Sequence, residues 1–241
     1  MKEMSYEKMF LDVFKRFSYK YSAWNDFLYM SATALANLVK TSEWRTREDN
    51  YMMIRDKYSV EHQRFFGELL ALTFLALEEN PHQDFLGVLY HKLKLEQQQK
   101  GQFFTPYNIC ELMSEINFAG SEAKEIIAKQ GYISVSDPAC GAGAMLIAFA
   151  NVSKEYGIDY QDQLLMIAQD IDRTAALMCY IQLSLIRCPA IVIIGDSLVK
   201  PGFHPDNEIW HTPTYLKNYR CFQSFFKETE EQPEQEIKKI A

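Results

Sequence analysis

Apolar positions along the first hundred residues recur at helical spacing. Met9, Phe10, Val13, Phe14 and Phe17 mark one stripe, and Phe27, Leu28, Leu35, Leu38 and Val39 mark another. That period is expected where one helix face turns toward a core. Between Glu61 and Leu77 only Gly67 interrupts, no proline occurs, and apolar residues fall on every side, which predicts a central buried helix. Asn80-Pro81 ends that run. Asp84 then stands where a side chain caps the next helix, whose stripe is Phe85, Leu86, Leu89, Tyr90 and Leu93. The aromatic residues of this stretch read as core rather than as a platform for stacked bases.

The pattern changes after the polar hinge Gln97-Gln98-Gln99-Lys100-Gly101. Thr105 is placed to cap a helix whose first residue is Pro106, with Ile109, Leu112, Met113 and Ile116 as its inner face. A short helix around 122–129 leads to a β-branched strand at 132–136. A glycine turn follows, then a helix through about residue 155. Leu164-Leu165-Met166-Ile167-Ala168 and Ala190-Ile191-Val192-Ile193-Ile194 are continuous apolar runs, as in strands covered on both faces. Asp172 is placed to cap the helix between them. Three strands, each followed by a carboxylate-bearing turn, with helices between, describe half of a doubly wound α/β sheet. The expected division is a helical region over 1–100, an α/β domain over 101–226, and a charged tail over 227–241.

Composition narrows the class. The chain has 241 residues, 48% hydrophobic and 24% charged, and its five cysteines form no C-x-x-C pair. A disulfide framework or metal site is therefore not expected, and a reducing cytoplasm fits the cysteine usage. No apolar run reaches the ~18 residues that cross a bilayer, and no signal segment opens the chain. Net charge is −7, which counts against tight autonomous DNA binding, since phosphate neutralisation supplies most non-specific affinity. The pairs Arg45 with Arg47 and Lys92 with Lys94, and Lys15-Arg16 with Lys20, read as solvated helix faces.

The chemistry concentrates in Asp137-Pro138-Ala139-Cys140-Gly141-Ala142-Gly143-Ala144-Met145-Leu146. A strand–glycine turn–helix junction lets a ligand press against bare backbone beside a helix N-terminus. Asp170 and Asp196 end the next two strands, on the side where open parallel sheets bind ligands. A carboxylate after the second strand is placed to accept from ribose hydroxyls, so the layout suits a nucleoside-bearing cofactor. No third small residue completes a dinucleotide fingerprint, and no G-K-[ST] phosphate loop occurs.

Gly101-Gln102-Phe103-Phe104-Thr105-Pro106 together with Asp137–Leu146 resembles the N6-adenine DNA methyltransferases, specifically the methylation subunits of type I restriction-modification systems. In that family a G-x-[FY]-[FY]-T-P segment precedes a D-P-x-C-G-x-G-x-x-L turn. Asp84-Phe85-Leu86-Gly87 followed by Tyr90 is similar to the helix ahead of that segment, and the resemblance covers roughly residues 80–198. It implies a Rossmann-like sheet binding S-adenosylmethionine. By position, Phe104, Thr105 and Pro106 would line the methionine end and Asp137 would lie beside the cofactor amino group. Cys140, Gly141 and Gly143 would form the backbone cradle. Asp170 would hold the ribose, Ile171 would lie against adenine, and Asp196 would accept from the adenine amine with Leu198 close by.

One departure matters. The family's [DNS]-P-P-[YFW] tetrapeptide, which grips the amine of a flipped adenine, is absent. The nearest string, Thr212-Pro213-Thr214-Tyr215, supplies Thr212, Pro213 and Tyr215 as candidate catalytic residues, behind a stretch (Asn207–His211) that reads poorly as a buried strand. Only 43 residues follow Leu198, room for one further strand, so the sheet is expected to be shorter than the family's. Three readings stay open: an adenine-specific DNA methyltransferase, acting alone or with a partner subunit in a homo- or hetero-oligomer; a cofactor-binding module without turnover; and a small-molecule methyltransferase.

Overall fold

The computed structural model describes residues 4–95, 104–119 and 122–222. The hinge at 97–101, Gly101–Phe103 and the tail over 227–241 lie outside the described residues. Five helices come first: α1 (Tyr6–Phe14), α2 (Lys20–Ala36), α3 (Trp44–Arg55), α4 (Val60–Glu79) and α5 (Phe85–Lys92). Ser5, Ser59 and Asp84 each accept a backbone N–H at a helix start, as capping chemistry requires. Phe10, Phe14, Trp24 and Phe27 pack mainly edge to face, with Phe14 and Trp24 at 5.6 Å and 88°.

The expected central helix is elsewhere. Residues of α4 bury one side through Phe65, Phe66, Leu69, Leu72 and Leu77, while Phe74 and Leu75 reach solvent. The enclosed helix is α10 (Arg173–Leu185), in which every residue from Thr174 to Ser184 is buried. It lies between the sheet and α2, and so takes cover from both sides.

Two further helices, α6 (Tyr107–Ala119) and α7 (Ala123–Gln130), precede the sheet. The predicted inner face of α6 points outward: Ile109, Leu112, Met113 and Ile116 are 42%, 57%, 45% and 66% exposed. Its buried side is Cys110, Ser114 and Phe118. Small residues won because α6 packs closely on α8 (Ala144–Glu155), where Cys110 meets Ala144 and Ala148. Helical spacing identified the stripe correctly but not which side meets the protein. The helix start also differs by one residue, since the Pro106 carbonyl accepts from Cys110 N at 3.2 Å and so occupies the cap position assigned to Thr105.

Strands β1 (Ile133–Asp137), β2 (Leu164–Asp170), β3 (Ala190–Ile194) and β4 (Glu208–His211) form one sheet in the order β1-β2-β3-β4. The first three are parallel and β4 is antiparallel to β3. A short helix, α9 (Tyr160–Gln163), enters β2, and α11 (Pro213–Asn218) follows β4. The register sets Asp137 beside Ala168 and Asp170 beside Ile194, so the carboxylates gather at one end of the sheet. A single apolar cluster runs from Phe10 through Trp24 and Tyr90 to Leu146, Met166 and Trp210. The helical region and the sheet therefore share a core. Removing Trp24 should be felt across both: Trp24→Ala is expected to cost about 3–5 kcal/mol, with fluorescence and far-UV circular dichroism reporting one coincident urea transition.

Candidate cofactor cleft

The chain reverses tightly between Asp137 and α8. Cys140 N donates to Gln169 O at 3.0 Å, and Gly143 N donates to Cys140 O at 2.8 Å. Gly141 and Gly143 have φ of +54° and +95°, a region that side chains disfavour. Space is a second reason. A Cβ on Gly141 would lie 3.0 Å from a Phe104 ring carbon, and one on Gly143 would lie 2.9 Å from Cys179 Sγ.

Carboxylates bracket this turn. Asp170 Oδ2 accepts from Gly141 N and its Oδ1 from Asp172 N, both at 2.8 Å. Asp137 Oδ1 accepts from Ala139 N at 3.1 Å. Burial pushes both carboxyls above the usual range, against these hydrogen bonds, and the charge of Asp170 pushes Asp137 further. Contact with the Cys179 thiol, then burial, holds the Cys140 thiol well above its ordinary value. Its side chain is buried between the turn and α10.

Phe104, Thr105, Asp137, Cys140 and Gly141 line one cavity of about 220 Å³. Gly143 closes the turn behind them and Asp170 holds Gly141. Pro106 stands at the head of α6, outside that lining. Asp196 follows β3, where its Oδ1 accepts from Leu198 N at 2.9 Å and Val199 N at 3.2 Å. Ile171 and Leu198, on the adjoining turns, are 70% and 92% exposed. Both are large apolar side chains left in solvent on the turns that follow β2 and β3.

Thr212, Pro213 and Tyr215 are not brought to this cleft. Thr212 N donates to Ala190 O at 3.0 Å and Thr212 Oγ1 donates to Cys188 O at 2.8 Å, at the start of β3. Asp196 lies beyond the opposite end of that strand. Tyr215 is buried against Phe222 and Ile193 on the second face of the sheet, and Pro213 begins α11 beside it. The antiparallel direction of β4 decides this: it carries the chain away from the carboxyl ends before the tetrapeptide is reached.

A larger cavity of about 900 Å³ lies between α2, α3 and β4. Arg47 stacks there on Trp210 at 4.5 Å, and Arg173 pairs with Glu208 at 2.9 Å. Its lining includes no glycine, whereas the turn after β1 sets two positive-φ glycines beside two strand-end carboxylates, so size alone does not make it the site. Among the described residues, no group of three or more His, Cys, Asp and Glu side chains is arranged to hold a metal.

A family model described as N-6 DNA Methylase matches residues 83–232. The chain belongs to the N-6 DNA methylase family. The match starts just ahead of Asp84 and runs beyond Leu198 through β4 and α11, so this family member includes both within the matched region. Comparisons with curated proteins and with solved structures give no match. Among the described residues, no helix of this family member is long and apolar enough to cross a membrane.

Sequence reasoning missed two residues behind the turn, Cys179 and Gln182. Both lie on α10, and the one available signal was a glutamine inside an otherwise apolar helix. Two outcomes follow from this geometry. Gly143→Ala should destabilise by about 1–3 kcal/mol more than Gly131→Ala in urea denaturation. Both residues are left-handed, but only Gly143 lacks space for a methyl group. A carboxyl raised on folding stabilises below the unfolded value and loses that contribution as pH rises through the folded one. Asp137→Asn should therefore gain thermal stability relative to the parent as pH climbs from about 4 to about 7, read from melting temperatures.

Proposed function

We propose that this protein binds S-adenosylmethionine at the carboxyl ends of β1–β3 and serves adenine-N6 methylation of DNA, in a cytoplasmic restriction-modification setting. The observation that supports this best is the convergence of Asp137, Asp170 and the Gly141–Gly143 backbone on one turn. When bound, the cofactor supplies a methyl group on a cationic sulfonium. Asp137, a carboxylate half-sheltered from water, favours the cofactor's positive charge. The Asp170 lone pairs not used by Gly141 and Asp172 would accept from ribose hydroxyls. Ile171 and Leu198 would cover the adenine faces, Asp196 would accept from its amine, and Phe104, Thr105 and Pro106 would border the methionine end.

Gripping the target amine needs another group. Thr212 and Tyr215 are buried at the start of β3, and the net charge of −7 gives no broad cationic surface for a duplex. These two facts favour a chain that meets DNA beside a partner subunit contributing the base-gripping residues. They also favour a second reading, cofactor binding without turnover.

Isothermal titration calorimetry decides the cofactor step. The parent should bind S-adenosylmethionine with a Kd on the order of micromolar, and Asp170→Ala should weaken it by about tenfold or more. Absence of binding at millimolar cofactor would remove the proposal. Radiolabelled methyl transfer to adenine-containing DNA separates the readings: incorporation supports the enzyme, and silence alongside firm binding supports the non-catalytic module.

A further inference from the structure

The helical region touches the glycine turn through one buried amide. Gln182 is fully buried on α10. Its Nε2 donates to Asp84 Oδ1 at 2.8 Å and to Ala142 O at 2.9 Å, while its Oε1 accepts from Leu86 N at 3.1 Å. Asp84 is buried as well, and its Oδ1 also accepts from Gly87 N at 2.9 Å. Both amide hydrogens and the amide oxygen of Gln182 are thus engaged, and turning the amide over would face oxygen against oxygen. Its orientation is fixed by α5.

The consequence falls on one peptide. The bond joining Ala142 to Gly143 is held at its oxygen by Gln182 and at its N–H by Cys140 O. Gly141 N is held by Asp170. Ala142 lines the cleft. This peptide turns about Ala142 ψ and Gly143 φ, and the freedom of glycine at Gly143, with φ of +95°, leaves its orientation to be fixed by partners.

We propose that Gln182 is a positioning residue for the cofactor cleft. It fixes the Ala142–Gly143 peptide, and with it the glycine turn that lines the cleft, and it takes its own orientation from Asp84. The ligand side of this inference rests on the cofactor reading given above; the orientation of the turn does not.

The test uses the full chain and two readouts. In Gln182→Leu, amide hydrogen exchange at Gly143 should accelerate about tenfold or more while β2 and β3 keep their rates, and S-adenosylmethionine should bind about tenfold more weakly. Asp84→Asn keeps the accepting oxygen and should stay within about threefold of the parent. Asp84→Leu should match Gln182→Leu, and the double variant should be no worse than either, the signature of one coupled unit. If Gln182→Leu does not fold, Gln182→Glu carries the test, since it keeps Oε1 and loses the donors. Unchanged exchange at Gly143, or additive losses in the double variant, would overturn the proposal. A parent that binds no cofactor sinks the cofactor reading alone, because the exchange arm still reports on the amide.

Discussion

The turn after β1 has no room for a side chain at Gly141 or Gly143, and most of the candidate site's architecture follows from that constraint. Phe104 closes on Gly141 from one side and Cys179 presses on Gly143 from the other. Several polar groups of that backbone are satisfied within the protein. They are taken up by Gln169 and Asp170 from β2, by Gln182 from α10, and by the turn itself. The carboxylates at the strand ends are held close to bare backbone, where burial raises the cost of their charge.

The two edges of the sheet are built differently. On β4, Arg47 donates to Ile209 O at 3.2 Å and the Tyr180 hydroxyl donates to His211 O at 3.1 Å, so side chains cover the outward carbonyls. On β1, among the described residues, no side chain reaches the backbone of Ile133–Ser136. The β4 edge is thus the one wrapped by α2, α3 and α10. Its antiparallel direction carried Thr212–Tyr215 to the opposite end of the molecule from Asp170.

Much of the fold was legible because it depends on local chemistry. The apolar runs at 164–168 and 190–194 became parallel strands. Asp84 and Asp172 capped the helices they precede, with Asp172 Oδ1 accepting from Thr174 N at 2.9 Å. Two positive-φ glycines stood where the motif put them. Failures came where a decision needed a partner in space. The α6 stripe was visible, but its direction depended on Cys110 and Ser114 allowing close approach to α8. The enclosure of α10 rather than α4 depended on which helix lay between the sheet and α2.

The sequence by itself determined the turn, its flanking carboxylates and the family, because backbone conformation and strand-end chemistry are written in neighbouring residues. Tertiary structure alone decided that Gln182 would hold Ala142 and that Thr212 would lie away from the cleft. Both outcomes join residues tens of positions apart through helix packing and strand direction, and no local pattern in the chain encodes either.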